Sequence, residues 1–169
     1  RLDTRDTFRN AFGEFGLRPD WMFPGYGLAE HVVGVSGLDE YQLSSPRPED
    51  IRSFVAVGRL EKRHLSLSIK IVDPDVHSEM PNNQTGELWI GSSSVAAGYH
   101  AKPELSKETF CATLKDENGK VSEQMFLRTG DLAFLQDGYL YICGRIKDLI
   151  IVNGCQLLST GHRACRPGS

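Results

Sequence analysis

Two short segments of this chain carry a carboxylate and a guanidinium that could act on one ligand. They are Arg128-Thr129-Gly130-Asp131 and Gly144-Arg145-Ile146-Lys147-Asp148. The carboxylate of Asp131 presents two acceptor oxygens and can bind both hydroxyls of a ribose. Arg145, fourteen residues later, offers five fixed donors that suit hydroxyls and phosphates. The two segments therefore indicate recognition of a sugar or a phosphate.

Each of these side chains also has an ordinary structural interpretation. Asp131 could be a turn or capping aspartate, which is the usual role of a lone Thr-Gly-Asp triplet. Arg145 could form a surface ion pair with Asp148 or Glu87, and such pairs are common and contribute little to stability. Taken alone, neither segment assigns a function.

A third segment, Tyr26-Gly27-Leu28-Ala29-Glu30, adds an aromatic ring and another carboxylate. Tyr26 has a glycine on each side, so its ring can stack flat on a base with little obstruction. Glu30 could hold Mg²⁺, which takes one or two carboxylates together with substrate phosphates. The structural alternative is a core tyrosine and a solvated glutamate. We interpret the adjacent His31 as a packing or surface residue.

Local patterns indicate the elements that position the Tyr26 loop. Residues 4–15 space their apolar side chains as one face of a helix, and Gly16 suits a helix C-terminal cap. Trp21-Met22-Phe23 predicts a short buried strand that leads into the loop. This helix–strand–loop unit, residues 1–35, is typical of an α/β sheet, which binds ligands at the carboxyl ends of its strands. The apolar positions of the helix are Phe8, Ala11, Phe12 and Phe15.

The elements further along the chain are mostly β-strands. Asp137-Gly138 between two apolar runs predicts a tight hairpin, because both central residues of such a turn need positive φ. Asp131 and Arg145 flank this hairpin. Residues 36–50 are polar and proline-rich and predict a loop, and residues 115–124 predict a surface excursion. Strands are predicted at 54–57, 67–72, 87–90 and 148–152, and a short helix at 104–111 after Pro103.

The composition is that of an ordinary water-exposed globular chain. The net charge of −3 gives no electrostatic reason to expect nucleic acid or an anionic membrane as partner. No apolar run approaches the roughly 20 residues of a transmembrane helix. The start has neither an initiator Met nor a signal-peptide apolar region, so we expect a fragment or a processed product. The four cysteines lack metal-ligand spacing and predict reduced thiols in a cytoplasmic protein.

In order along the chain, four motifs resemble those of the adenylate-forming superfamily. This group includes acyl-CoA synthetases, luciferases and peptide-synthetase adenylation domains. The motif residues are most similar to those of fatty acyl-AMP ligases, where YGLAE, SVAAGY and GRIKDLII are typical, and the resemblance covers Phe8 to Gly154. The motifs are residues 26–30, 86–90 leading to 97–99, 128–131 and 144–148.

The resemblance implies an α/β plus β fold. Residues 1–146 would be the C-terminal part of a large adenylation domain, in which the α/β unit is followed by a distorted β-barrel subdomain at 53–146. Residues 147–154 would form the hinge and first strand of a small C-terminal domain. Lys147 falls at the hinge position.

The resemblance also implies a site and a reaction. A fatty acid would attack ATP to give an acyl-adenylate, which would pass to the phosphopantetheine thiol of an acyl carrier protein, or to CoA. Alternatives are an acyl-CoA synthetase and a non-catalytic AMP-binding regulatory domain. The implied roles are adenine stacking by Tyr26 with Gly27 beside it, ribose binding by Asp131 and Arg145, and Mg²⁺ binding by Glu30.

Ala29 and residues 36–52 also fit the narrower group. Many superfamily members have a Thr at the position of Ala29, whereas fatty acyl-AMP ligases usually have Ala. Residues 36–52 correspond in place to an insertion associated with acyl-AMP ligases, although a plain connecting loop explains the same composition.

Two family segments are missing from this sequence. The Ser/Thr/Gly-rich phosphate loop would lie upstream, and the C-terminal domain with its catalytic lysine would follow. Because removing even one preorganised donor can cost about 10²–10³ in rate, we predict no meaningful ligase activity from this chain alone.

Residues 155–169 depart from the family pattern. They can be encoded so that reading one nucleotide later gives VNYYPQDIEHA, which restores the pattern after Gly154. We therefore hypothesise a one-nucleotide frameshift there, with real divergence or an alternative exon end as the other explanation. A transcript that reads in frame across Gly154 would contradict it. A corollary is that Leu157–Ser169 should be poorly ordered.

Overall fold

The computed structural model describes residues 2–18, 23–37, 42–45, 54–59, 67–152, 155–158 and 163–164. The chain begins with α1 (Leu2–Phe12) and a 3-10 turn (Gly13–Phe15) that ends at Gly16 with φ of 84°. The predicted helix is thus confirmed up to Phe12, and its last three residues wind more tightly. Its phenylalanines remain partly or largely exposed and contact one another, with the rings of Phe8 and Phe12 4.4 Å apart.

A two-stranded antiparallel sheet follows, made of β1 (Gly25–Tyr26) and β2 (Ser36–Gly37). Of the strand predicted at 21–23, Trp21 and Met22 lie outside the described residues. Phe23 is described, is exposed and belongs to no strand. Tyr26, which was expected in a loop, thus belongs to the short strand β1, and Phe23 does not form the buried strand expected before it.

The larger sheet accounts for most of the described chain. Its order is β3-β8-β7-β5-β4, with β6 beside the first part of β7, and every pairing is antiparallel. The helix predicted after Pro103 forms as α2. In chain order the elements are β3 (Ala56–Arg59), β4 (Ser68–Val72), β5 (Gly86–Gly91), α2 (Pro103–Phe110), β6 (Ala112–Lys115), β7 (Val121–Gln136) and β8 (Tyr139–Arg145).

The strands predicted at 67–72 and 87–90 form, and the one predicted at 54–57 forms from Ala56, but two other expectations need correction. Residues 115–124 are not a single surface excursion, because Lys115 ends β6 and Val121 begins β7. The described strands also follow an open path from β3 to β4, so the distorted β-barrel that the resemblance implied at residues 53–146 is not confirmed. The length of β7 explains why part of residues 115–124 lies in a strand. β7 has 16 residues and pairs along its length with β6, then β5, then β8.

The core lies on both faces of the larger sheet. Every residue of β5 is buried, and its alternating side chains point to opposite faces. Leu88 and Ile90 pack in one apolar cluster, whereas Trp89 packs in another with Phe126. β5 is therefore a central strand, buried on both sides.

The predicted Asp-Gly hairpin between β7 and β8 is confirmed. Asp137 and Gly138 have φ of 52° and 80°, and Gln136 pairs with Tyr139 across the turn. Phe134 and Tyr141 stack with their ring centres 4.9 Å apart. The turn fixes the register that pairs Asp131 with Arg145 at the open end of the two strands.

The end of the chain forms a small antiparallel sheet. A 3-10 turn (Ile146–Asp148) leads to β9 (Leu149–Val152), which pairs with β10 (Cys155–Leu158), and β10 pairs with β11 (Arg163–Ala164). The strand predicted at 148–152 is confirmed from Leu149. Of the tail expected to be poorly ordered, Leu157 and Leu158 belong to β10, and Arg163 and Ala164 form β11. Almost any sequence can form such strands, because the hydrogen bonds join backbone groups. The rest of the tail lies outside the described residues.

Both α-helices in the described part of the chain are short. α1 has 11 residues and α2 has 8. Within the described residues, no helix has both the length and the apolar character that a membrane crossing requires.

Candidate functional site

The Thr129-Gly130-Asp131 triplet is a bulge on β7. Across the ladder with β5, Glu87 pairs with Leu132 and Trp89 pairs with Arg128, so Leu88 alone faces the whole triplet. Gly130 has φ of 70°, a conformation that glycine adopts at little cost. Bulges of this kind re-aim side chains and are common beside active sites. The triplet is therefore part of a strand rather than a free turn.

The bulge brings Asp131 directly opposite Arg145 on β8. Arg145 Nε donates to Asp131 Oδ1 at 2.7 Å, and this contact raises the pKa of the guanidinium. Asp131 is buried, with 6% exposure, whereas the Arg145 side chain is half exposed. The partner of Arg145 is thus Asp131, and the ion pairs with Asp148 or Glu87 considered from the sequence are not its main contact.

Tyr26 joins the same carboxylate from a distant part of the chain. Its Oη donates to Asp131 Oδ2 at 2.6 Å, across 105 positions of sequence. Burial, and then the hydrogen bond to Asp131, raise the pKa of Tyr26, so the phenol stays protonated. Each oxygen of Asp131 therefore holds one donor, and each keeps acceptor capacity for a hydroxyl group.

Gly27 is required by the packing of its own loop. A Cβ atom there would lie 1.5 Å from the carbonyl oxygen of Val33. The loop is closed by hydrogen bonds from Val33 N to Leu28 O and from Val35 N to Tyr26 O. Any side chain at Gly27 would thus displace the segment that holds Tyr26.

Glu30 lies in a 3-10 turn (Ala29–His31) and is held at two points by the segment around Tyr99. Its carbonyl oxygen accepts from Ala96 N at 2.8 Å, and its Oε1 accepts from Tyr99 Oη at 2.6 Å. The hydrogen bond to Glu30, with burial second, raises the pKa of Tyr99 to about 12. Within the described part of the chain, Oε2 accepts no hydrogen bond.

Glu30 could supply one carboxylate to a metal such as Mg²⁺. Among the described residues, no group of three or more His, Cys, Asp or Glu side chains could hold a metal. Mg²⁺ keeps several waters and binds one or two carboxylates together with phosphates. One oriented carboxylate with a free oxygen meets that requirement. Of the described cysteines, Cys111 is exposed and Cys143 is buried.

Two other predicted residues lie outside this network. His31 is 5% exposed and its Nδ1 lies 2.9 Å from the carbonyl oxygen of Gly34, which agrees with the packing interpretation. Lys147 is exposed in the 3-10 turn after β8, and it makes no hydrogen bond or ion pair with any residue that the structure describes. The structure thus brings together Tyr26, Asp131 and Arg145.

Sequence reasoning missed the roles of Glu87 and Tyr99 in holding these side chains. Glu87 is 1% exposed and accepts from Arg128 Nε and Nη2 at 3.1 and 2.8 Å, and from Gly130 N at 3.1 Å. One signal was available: a carboxylate followed directly by the apolar run of residues 88–90 needs a partner if the strand is buried. For Tyr99, the sequence offered no comparable signal.

The open groove on α1 is a weaker candidate site. It is lined by Thr4, Thr7, Phe8, Ala11 and Phe12. All five belong to one helix, and none of them titrates. The polar network around Asp131 is therefore the stronger candidate among the described residues.

Comparison with known proteins identifies the family. The model of the AMP-binding enzyme family matches residues 2–100. The long-chain-fatty-acid–AMP ligase FadD32 of Mycolicibacterium smegmatis is 36% identical over 168 residues, which cover 87% of this chain and 27% of that ligase. The medium-chain-fatty-acid–[acyl-carrier-protein] ligase JamA of Moorena producens is 36% identical over 172 alignment positions, gaps included, and the match covers 91% of this chain and 28% of JamA.

A solved structure agrees with these relatives. The fatty acyl-adenylate ligase from L. pneumophila, crystallised with acyl adenylate and pyrophosphate, matches with a TM-score of 0.71 and 35% identity. The match covers 88% of this chain and 27% of that one. The chain thus spans between a quarter and a third of the length of these three relatives. It belongs to the AMP-binding enzyme family, and the resemblance to fatty acyl-AMP ligases that its motifs indicated is confirmed.

Proposed function

We propose that Tyr26, Asp131 and Arg145 bind the nucleoside of ATP in an enzyme that activates fatty acids as acyl-adenylates. One observation carries the proposal. Donors from two separate segments hold the two oxygens of the buried Asp131 carboxylate. The carboxylate is therefore oriented before any ligand arrives, and both oxygens keep a lone pair for the two hydroxyls of a ribose.

The same geometry supports the remaining roles. Because the Tyr26 hydroxyl touches Asp131, the ring that would stack on adenine lies next to the carboxylate that would hold the ribose, as in a nucleoside. Arg145 would add a second ribose contact from the opposite strand. Glu30 would hold Mg²⁺ through its free oxygen, and Gly27 would keep the loop backbone close to the ligand.

The chemistry would be transfer of an adenylyl group to a fatty acid. An oxygen of the fatty carboxylate forms a bond to the α-phosphorus of ATP, and the bond to the bridging oxygen breaks, which releases pyrophosphate. When bound, Mg²⁺ would offset the negative charge of the phosphates. This chain would supply base stacking, ribose binding and one metal carboxylate. The names of FadD32 and of the L. pneumophila ligase support this substrate class.

The acyl acceptor would be the phosphopantetheine thiol of a carrier protein. The thiol sulfur attacks the acyl carbon and AMP leaves. The match to JamA, named as a ligase for an acyl carrier protein, supports this choice. CoA is the alternative acceptor, because other relatives of 34–35% identity are named putative fatty-acid–CoA ligases. We further propose Lys147 as the hinge between the large domain and a small C-terminal domain that would begin near residue 147.

Nucleotide binding tests the proposal directly. AMP and a non-hydrolysable acyl-adenylate analogue, an acyl sulfamoyl adenosine, would be titrated calorimetrically onto the chain. We expect the wild-type chain to bind both, and Asp131→Ala to lose at least about tenfold in affinity, the size of one hydrogen bond to a charged group. Binding is the suitable readout because the chain spans under a third of its relatives.

A matched control removes a carboxylate from the surface. Glu117→Ala, in the exposed turn between β6 and β7, should bind AMP like the wild-type chain. Circular dichroism would show that both variants keep the fold. A wild-type chain that binds neither ligand, or a folded Asp131→Ala variant with unchanged affinity, would contradict the proposal.

A further inference from the structure

We infer that Glu87 is a positioning residue that holds the bulge of β7 and thereby aims the Asp131 carboxylate at the ribose. The inference rests on the proposed nucleotide site. It adds a residue on β5 that would touch no ligand and would act through the backbone of Gly130.

Glu87 is a buried carboxylate whose two oxygens are both engaged. Oε2 accepts from Nε and Nη2 of Arg128, and Oε1 accepts from Gly130 N. A buried charge is costly unless it is paired and hydrogen-bonded, and here three donors surround it. The arrangement therefore ties β5 to the first and third residues of the Arg128–Asp131 motif.

The bulge needs such a support because the strand ladder does not provide one. Leu88 faces three residues of β7, so regular backbone pairing is interrupted there. Side-chain hydrogen bonds take the place of the missing backbone pairs. Thr129 Oγ1 donates to Leu88 O at 2.7 Å and accepts from Asp131 N at 3.1 Å. Glu87 contributes the only charged contact to this bulge from β5, at the Gly130 amide that directly precedes Asp131.

Arg128 completes the support. Its guanidinium lies 5.6 Å from the centre of the Trp89 ring, so it is held between that ring and the Glu87 carboxylate. Trp89 is fully buried in the core and cannot move easily. The charge pair and the ring thus anchor the start of the bulge, while the Gly130 hydrogen bond fixes its middle.

The variant Glu87→Gln separates positioning from mere stability. Glutamine keeps an acceptor for Gly130 N but places an amide donor, without charge, against Arg128. AMP and 2′,3′-dideoxy-AMP would be titrated onto the wild-type chain and the variant. We expect the variant to lose about tenfold in affinity for AMP and less than about twofold for the dideoxy nucleotide, which lacks the hydroxyls that Asp131 would bind.

The chain offers a matched control for this change. Glu79→Gln removes a carboxylate from another ion pair, with Lys70 at 2.7 Å, but that pair is exposed and makes no contact with the bulge. This control should keep the wild-type preference for AMP over the dideoxy nucleotide. A Glu87→Gln variant that keeps the preference, or that loses both affinities in parallel, overturns the inference.

Amide hydrogen exchange at Gly130 provides an independent readout. We expect faster exchange at this amide in Glu87→Gln than in the wild-type chain, because the neutral amide oxygen accepts a weaker hydrogen bond than the carboxylate does. Unchanged exchange overturns the inference. If the wild-type chain binds neither nucleotide, the proposed function fails, whereas the exchange rate of the Gly130 amide still tests whether Glu87 holds the bulge.

A second variant is available if Glu87→Gln does not fold. Arg128→Lys keeps the positive charge but loses the contact of two nitrogens with Glu87, and the same measurements on it then test the inference.

Discussion

At the scale of single residues, the site is a set of carboxylates that are each held by specific donors. Asp131 is held by Tyr26 and Arg145, and Glu30 is held by Tyr99. A carboxylate that is already oriented loses less conformational entropy when it binds a ligand. In the proposed function, the remaining lone pairs of Asp131 would meet the ribose hydroxyls, and Oε2 of Glu30, which accepts no hydrogen bond from the described residues, would meet the cation.

Tyr99→Phe should weaken Mg²⁺-dependent binding without affecting the nucleoside contacts. Losing the hydroxyl leaves the Glu30 side chain free to rotate, which should cost about 0.5–1.5 kcal/mol in the binding of Mg²⁺·ATP. Calorimetric titration with Mg²⁺·ATP and with AMP checks this. Tyr139→Phe, which keeps the ring 5.4 Å from the Arg59 guanidinium, is the matched control. An equal loss for AMP, or no loss for Mg²⁺·ATP, would refute the role of Tyr99.

At the scale of elements, the site depends on how β7 meets its neighbours. The bulge at residues 129–131 faces β5, and the hairpin turn sets the register against β8. Gly130 and Gly138 both have positive φ, and a Cβ atom at either position would meet nothing within 4 Å. Both positions therefore require a left-handed backbone conformation, but only Gly130 lies in the bulge beside Asp131.

Gly130→Ala and Gly138→Ala form a matched pair. Each should destabilise the chain by about 1–2 kcal/mol, because an L-residue is strained in the left-handed region. Denaturant unfolding measures this cost. We expect only Gly130→Ala to weaken AMP binding as well, because it lies in the bulge beside Asp131. If Gly130→Ala lost stability but kept full AMP affinity, the bulge conformation would not matter for the site.

At the scale of the whole molecule, apolar side chains pack against both faces of the larger sheet. Three tyrosines of the folded chain have raised pKa values. Burial raises the pKa of Tyr141, and the contacts described above raise those of Tyr26 and Tyr99. The folded chain therefore keeps phenol protons that the unfolded chain releases near pH 10. Folding is linked to protonation at these sites.

Stability should therefore fall in alkaline solution. The contribution of Tyr99 is fully present below pH 10 and is lost as the pH rises through about 12, because only the unfolded chain is ionised in between. Denaturant unfolding at a series of pH values, with phenolate absorbance followed in parallel, measures this loss. Tyr99→Phe should flatten the dependence, and a free energy of unfolding that stays constant from pH 10 to 12 in the wild-type chain would contradict it.

Features that depend on neighbouring residues could be predicted from the sequence. The Asp137-Gly138 turn forms because its positive φ values are a local requirement, and α2 begins at Pro103 because proline suits a first helical turn. The motifs also indicated the family, since their residue types and order are a property of the chain alone. The same motifs point to Tyr26, Asp131 and Arg145 as candidate site residues, because residue type and order require no knowledge of contacts.

Side-chain partners required the tertiary structure. The sequence could not show that Arg145 pairs with Asp131 while Glu87 pairs with Arg128, because that choice depends on strand register and on a bulge. It also could not place the Tyr26 hydroxyl on Asp131, since 105 positions separate them. The sequence by itself determined which groups are available and where the chain turns. Only the tertiary structure decided which groups meet, because long-range packing sets the distances over which charges and hydrogen bonds act.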